Sequence, residues 1–179
     1  VLLGASGATN VQAQTATTIY AIQQGVHPDG THVSITGAVV IGVDSKPVSL
    51  HDSKGKVRLL SVVTSLDTGI CNTQTCTLDS RLPEITGEHI HYTISADLPF
   101  AEARFAKEHN IKNITFLSDH REMSFGKAYG VLIKELRLLS RSIWVVDKND
   151  KITYLQILPE IAAEPNYDDA LKALKRAAL

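Results

Sequence analysis

The segment Val57-Arg58-Leu59-Leu60-Ser61-Val62-Val63 constrains the fold more than any other part of the chain. It is a nearly continuous apolar run without the in-out alternation of a half-exposed strand, the pattern of a central strand covered on both faces. The flanking pattern predicts helix over 68–82, strand over 89–96, helix over 99–109 and strand over 114–117. Strand, helix, strand, helix, strand implies parallel crossovers and an α/β architecture with a central sheet flanked by helices.

The rest of the chain supplies the edges of such a sheet. Residues 19–43 mix β-branched residues with turn signals such as His27-Pro28-Asp29-Gly30, which reads as a short hairpin or two edge strands. Residues 124–129 form a short helical piece. Ser142-Ile143-Trp144-Val145-Val146 and Ile152-Thr153-Tyr154-Leu155-Gln156-Ile157 flank the polar turn Asp147-Lys148-Asn149-Asp150, a hairpin signature. After Pro165, Tyr167, Ala170, Leu171, Leu174 and Ala178 follow helical spacing, with Asp168, Asp169, Lys172 and Lys175 opposite. An amphipathic helix therefore packs on the sheet at the end of the chain.

The 179 residues suffice for one well-buried domain and are too few for two full ones. A formal net charge of −1 without a basic run argues against nucleic acid or an anionic membrane surface as the partner, and favours a small neutral substrate. No stretch reaches the roughly eighteen apolar residues that a membrane span needs. Residues 1–18 are set apart as a signal-peptide remnant or a flexible N-terminal arm, since Val11-Gln12-Ala13 resembles a signal-peptidase site. The domain is expected over 19–179.

Two cysteines, Cys71 and Cys76, are too few and too close for a disulfide scaffold and read as redox chemistry. If Thr68 caps the helix that follows the buried strand, Cys71 is its third residue, a position where Glu or Gln normally meets the free amides. An anion is favoured there. A helix terminus contributes only about 0.3–1 kcal/mol, whereas holding a thiolate at neutral pH takes about 3 kcal/mol, so a second positive group must help. Without that setting, a lone cysteine is more often a small buried apolar residue.

Longer motifs give a resemblance. The segment from Leu60 through Thr64-Ser65-Leu66-Asp67-Thr68-Gly69-Ile70-Cys71 to Thr75 is similar to the active-site segment of the bacterial thiol peroxidases, a branch of the peroxiredoxins. So are Ser95-Ala96-Asp97-Leu98-Pro99-Phe100-Ala101, Leu117-Ser118-Asp119-His120-Arg121, Ser124-Phe125-Gly126-Lys127-Ala128-Tyr129-Gly130 and Glu135-Leu136-Arg137-Leu138-Leu139-Ser140-Arg141. The match runs from about Lys56 to the end of the chain. Before Lys56 a short, divergent stretch replaces the family's long N-terminal strand pair.

The resemblance implies a thioredoxin-like fold and a thiol-dependent peroxidase without metal or cofactor. Cys71 matches the peroxidatic cysteine, Thr68 the threonine whose hydroxyl contacts thiolate and peroxide, and Arg141 the arginine that supplies the missing charge. Hydrogen peroxide or an organic hydroperoxide is the implied substrate, and a thioredoxin-like protein or low-molecular-weight thiol the reductant. A homodimer is implied as well. The cytoplasm is the implied compartment, or export if residues 1–13 end a signal peptide. Arg121 and Arg137 read as solvated cations.

Two departures stand out. Thr64 occupies the place of the motif's first proline, which restores a backbone N–H and loosens φ. Ala106 occupies the place of the family's usual resolving cysteine. Cys76 is the substitute, at a spacing that resembles the bacterioferritin-comigratory branch of the peroxiredoxins. Five helical residues place two Cα atoms roughly 8 to 9 Å apart, and a disulfide needs less than about 7 Å. The helix must unwind locally, which the poor helix formers Asn72, Thr73 and Thr75 permit. The alternative is that Cys76 is inert packing and an external thiol reduces Cys71 directly.

Other chemistry finds less support. His89 and His91 share a strand face and His120 adjoins Asp119, but no metal-binding spacing accompanies them, so they read as partly exposed sheet and loop histidines. No phosphate loop or nucleophile elbow occurs. A thiol-disulfide oxidoreductase would carry Cys-x-x-Cys, and a non-catalytic or impaired binding protein on the same fold would not need Thr68, Cys71 and Arg141 together.

Overall fold

The computed structural model describes residues 38–160 and 162–179. The expected arm over 1–18, and the hairpin expected over 19–43 apart from its last residues, lie outside them. Seven strands form one mixed sheet: β1 (Val39–Gly42), β2 (Pro47–Ser49), β3 (Arg58–Val62), β4 (Ile90–Ser95), β5 (Thr115–Ser118), β8 (Ser142–Val146) and β9 (Ile152–Ile157), in the order β2-β1-β5-β4-β3-β8-β9. Two short strands, β6 (Leu132–Ile133) and β7 (Leu138–Leu139), pair separately. Four α-helices are described: α1 (Gly69–Arg81), α2 (Pro99–Glu108), α3 (Ser124–Ala128) and α4 (Tyr167–Ala178).

Strand β3 is interior, and all five of its residues are buried. It runs parallel to β4 and antiparallel to β8, with Leu60 opposite both Tyr92 and Trp144. Leu59 packs with Ile143, Val145 and the α4 residues Ala170, Leu171 and Leu174. Its neighbour Leu60 points to the other face, where Trp144 meets Tyr129 edge-on at 5.3 Å. Arg58, the one charge in the run, is buried and paired with Asp150 in the β8–β9 turn. That turn is closed by Asp147, whose Oδ1 accepts from the Asn149 and Lys151 amides.

Most expected elements are present with boundaries shifted by a residue or two. At the N-terminal edge β2 includes Pro47, in a stretch to which the sequence reading assigns no element. Proline is tolerated there because β2 is the sheet edge. The β6–β7 hairpin, too short to show alternation, packs on α3. A Cβ on Gly126 would lie 2.6 Å from the Leu139 side chain. His91 is buried rather than partly exposed, and neither ring nitrogen has a hydrogen-bond partner among the described residues. Burial first, then the neighbouring His89, lowers its pKa to about 3.

Helix α2 sets the floor of the region around Cys71. Pro99 occupies its first turn, where a missing N–H costs nothing, and Pro99, Glu102 and Phe105 form its buried face. The Glu102 carboxyl accepts from Ser95 Oγ at 3.1 Å, and burial outweighs that bond and raises its pKa to about 9. The folded state therefore keeps Glu102 protonated where an unfolded chain would ionise it above about pH 4.5. This contribution to stability is complete below that pH and is lost progressively as pH rises towards 9. Glu102→Gln retains an acceptor for Ser95 and should melt higher than the wild type at pH 8, with the gap closing by pH 4.5. Thermal melts across that range check this; a gap independent of pH would mean that Glu102 is ionised in the fold.

Candidate active site

The β3-to-α1 loop gathers side chains from several elements. Thr68 sits at the N-cap of α1 with extended backbone (φ −98°, ψ 142°), so Cys71 is the third helical residue, as the sequence predicts. Thr68 makes no capping bond, however, and its hydroxyl donates to the Ser65 carbonyl at 2.9 Å. The loop is fixed instead by Asp97. Its carboxylate accepts from Ser65 Oγ at 2.8 Å and from the Leu66 amide at 2.7 Å. Ser118 Oγ donates to the Asp97 carbonyl, which ties this clamp to β5.

Thr64, in place of the motif proline, is buried, and its hydroxyl meets no partner among the described residues. Leaving such a group unpaired costs about 1–3 kcal/mol. The Asp97 clamp one and two residues later is therefore the device that holds this loop.

The Cys71 side chain is fully buried among Val63, Leu66, Phe105 and Phe116. Its sulfur accepts a hydrogen bond from Nη2 of Arg141 at 3.2 Å. Arg141 is itself buried, one residue before β8, and its Nη1 donates to Gln74 Oε1 at 2.7 Å. Gln74 Nε2 in turn donates to Ser61 Oγ on β3 at 2.9 Å. The strongest charge near the sulfur is thus held from one helix and one strand. Hydrogen bonds from an ionised donor of this kind are stronger than neutral ones.

Gln74 is absent from the residues the sequence reading selects. A signal existed: Cys71, Gln74, Thr75 and Leu78 form the buried stripe of α1, and a glutamine in such a stripe needs a partner. Asp97 stands in the sequence only as one member of the Ser95–Ala101 motif. Arg121 and Arg137 are exposed, as expected.

Cys76 lies on the same unbroken helix, half-buried at the edge of the cluster around Cys71, and both thiols are free. Its S–H donates to Asn72 Oδ1 at 3.3 Å. Burial, then the nearby Asp79, pushes this thiol up. Ala106 packs against the same cluster from α2. Among the described residues no group of three or more His, Cys, Asp or Glu could hold a metal ion, and no helix is long and apolar enough to cross a membrane.

Comparison with known proteins decides the family. The Redoxin family profile matches residues 24–171. A thiol peroxidase of Halalkalibacterium halodurans is 46% identical over 138 residues, 77% of this chain and 82% of that one. A Bacillus subtilis thiol peroxidase is 48% identical over 127 residues, 71% and 75% of the two chains. The chain belongs to the thiol peroxidases, within the Redoxin family. A crystal structure of a peroxiredoxin-like protein from Aquifex aeolicus superposes with a TM-score of 0.73 at 34% identity, covering 83% of this chain and 90% of that one. The thioredoxin-like α/β fold expected from the sequence is therefore established.

In this thiol peroxidase the Gln74 link is open to test. Gln74→Leu keeps the volume but removes two buried hydrogen bonds, and should destabilise the fold by about 2–3 kcal/mol. It should also slow alkylation of Cys71 by iodoacetamide at pH 7, because Arg141 loses one of the bonds that hold it on the sulfur. Denaturant melts and alkylation kinetics measure the two effects. An unchanged alkylation rate would show that Arg141 keeps its place without Gln74.

Proposed function

We propose that this chain acts as a thiol-dependent peroxidase in which Cys71 is the attacking group, Arg141 its charge partner and Cys76 the resolving thiol. The observation that carries this reading is the buried guanidinium donating to the Cys71 sulfur at 3.2 Å. In the first step the Cys71 thiolate attacks the terminal oxygen of a hydroperoxide. The O–O bond breaks, the sulfur becomes a sulfenic acid, and the alkoxide or hydroxide leaves and takes up a proton. Arg141 lies where it can stabilise both the thiolate and the negative charge that develops on the leaving oxygen. Thr68 belongs to this machinery by resemblance: its hydrogen is committed to Ser65, so in this state it offers oxygen lone pairs to the incoming O–H.

In the second step the Cys76 sulfur displaces the hydroxyl of the Cys71 sulfenic acid. The S–S bond forms, and the Cys76 proton leaves with that oxygen as water. The cycle closes when an external dithiol, a thioredoxin-like protein or two equivalents of a small thiol, reduces the disulfide. Several features of α1 support local opening for this step. Besides Asn72, the threonines Thr73 and Thr75 bond back to the Gly69 and Cys71 carbonyls, a pattern that weakens and bends helices.

The homodimer belongs to the same proposal. Leu98 and Phe100, 53% and 72% exposed, stand beside the Asp97 clamp and are the apolar surface that pairing around the site would cover. Sedimentation at micromolar concentration should give a dimer, and Phe100→Glu a monomer; a wild-type monomer would remove this part of the reading.

The cysteines give the main test. Cys71→Ser should abolish peroxide consumption with the fold intact, since a hydroxyl supplies no nucleophilic anion at neutral pH. In Cys76→Ala, Cys71 should still consume one equivalent of peroxide, then stall as sulfenic acid and over-oxidise. Mass spectrometry after one equivalent of peroxide should find a Cys71–Cys76 link in the wild type. Sulfenic acid alone, or a link between chains, would replace this cycle with a one-cysteine or intersubunit one.

A further inference from the structure

Helix α1 meets the end of α2 and the connection that follows it at two places of unequal strength. Near its C-terminal end, Asp79 is a firm anchor: its Oδ1 accepts from the Lys112 and Asn113 amides at 3.1 and 2.7 Å, and its carbonyl accepts from Asn113 Nδ2 at 3.0 Å. Near its start, beside the apolar packing around Cys71, Asn72 Nδ2 donates to His109 Nε2 at 3.2 Å. Among the described residues an exposed ion pair of Arg104 with Asp67 in the preceding loop, at 3.6 Å, also crosses this seam, a type that contributes little.

His109 is held ready for that bond. It is the C-cap of α2, followed by Asn110 in the left-handed conformation at φ 53°. The Ile111 amide returns to the Ala106 carbonyl at 2.9 Å, which closes a Schellman motif. Its ring stacks on Phe105 with centroids 4.3 Å apart, and Phe105 packs in the cluster around Cys71. Asn72 has both ends occupied, its Nδ2 on His109 and its Oδ1 on the Cys76 thiol. One amide thus links the Cys76 thiol, the first turns of α1 and the end of α2.

We infer that Asn72 and His109 are positioning residues forming a latch that holds the first two turns of α1 closed over Cys71 and Cys76. The inference rests on the reading that Cys76 resolves the Cys71 sulfenic acid. Bringing the two sulfurs together requires those turns to open while Asp79 keeps the rest of the helix docked. The Asn72–His109 bond breaks in that opening, so its strength adds to the cost of opening and lowers the fraction of molecules in which Cys76 can reach Cys71. While the latch is closed the Cys76 thiol is held as a hydrogen-bond donor, away from attack. The latch therefore governs the competition between disulfide formation and a second peroxide oxidising the sulfenic acid to sulfinic acid. The peroxide step itself, which depends on Arg141 and Gln74, lies outside its reach.

The test uses the full chain with His109→Ala and His109→Gln. Losing one exposed hydrogen bond should speed Cys71–Cys76 disulfide formation about two- to fivefold, with sulfenic acid formation unchanged and less sulfinic acid at excess peroxide. Glutamine can still accept from Asn72 and should restore the wild-type rate, which separates the latch from lost stacking on Phe105. In the reduced protein, His109→Ala should raise amide exchange over residues 70–76 and leave residues 78–81 unchanged. Unchanged exchange over residues 70–76 in His109→Ala, or slower disulfide formation, would overturn the latch. If the wild type forms no such disulfide, the Cys76 reading fails, and the exchange measurement alone decides whether the latch exists.

Discussion

A guanidinium buried beside a cysteine sulfur is the interaction on which the site depends, and it is held by sheet register before it is held by any side chain. Arg141 precedes β8, and β8 pairs with β3 so that Ser142 lies opposite Val62. This brings Arg141 to the end of β3 from which the chain turns towards Cys71. A slip of one residue in that pairing would carry Arg141 to the other face of the sheet. Fine placement then falls to Gln74, which accepts from Arg141 and donates to Ser61. Burying an ionised group is costly unless its donors are met, so the same bonds that aim the guanidinium also make its burial tolerable.

The loop that carries Cys71 is held on its other side by a different element. Asp97, in the β4–α2 connection, binds the Ser65 hydroxyl and the Leu66 amide. Its own backbone is fixed by Ser95 and Ser118, from β4 and β5. Three neighbouring strands thus converge on one turn at their C-terminal ends, where open α/β sheets place their sites. The Thr64 hydroxyl, without a partner among the described residues, fits a turn whose geometry is imposed from outside. With a proline there, part of the restraint would come from the chain itself.

Much of this architecture was legible in the sequence because it rests on period and punctuation. The apolar run before Cys71, the helix start at Thr68, the Asp147–Asp150 turn and the amphipathic C-terminal helix each carry a local signal, and the structure has all four. Elements that depend on tertiary placement were not legible. Strand β2, which contains Pro47, has no reading in the sequence, because proline argues against a strand until its place at an edge is known. His91 reads as half-exposed until Leu59 is known to lie opposite it. Gln74, Asp97 and His109 matter through partners 67, 31 and 37 residues away, and no spacing rule relates such pairs. Thr68 shows the reverse, a correct position whose hydroxyl is spent locally on Ser65.

The proposed resolving role of Cys76, in place of a cysteine at position 106, has a geometric meaning. Both side chains pack against the cluster that encloses Cys71, one from α2 and the other from α1. A thiol at 106 could reach Cys71 only if α2 moved or α1 melted towards it. Moving α2 would disturb Phe105, the Schellman turn and the Asp97 clamp at its start. A thiol at 76 needs only the first turns of α1 to open, and those turns are rich in residues that compete with helical hydrogen bonding. The rearrangement is then confined to one short stretch between the Asp97 clamp and the Asp79 anchor. The sheet register that places Arg141 is left intact, so in the proposed cycle its guanidinium is still beside the Cys71 sulfur when the helix closes again.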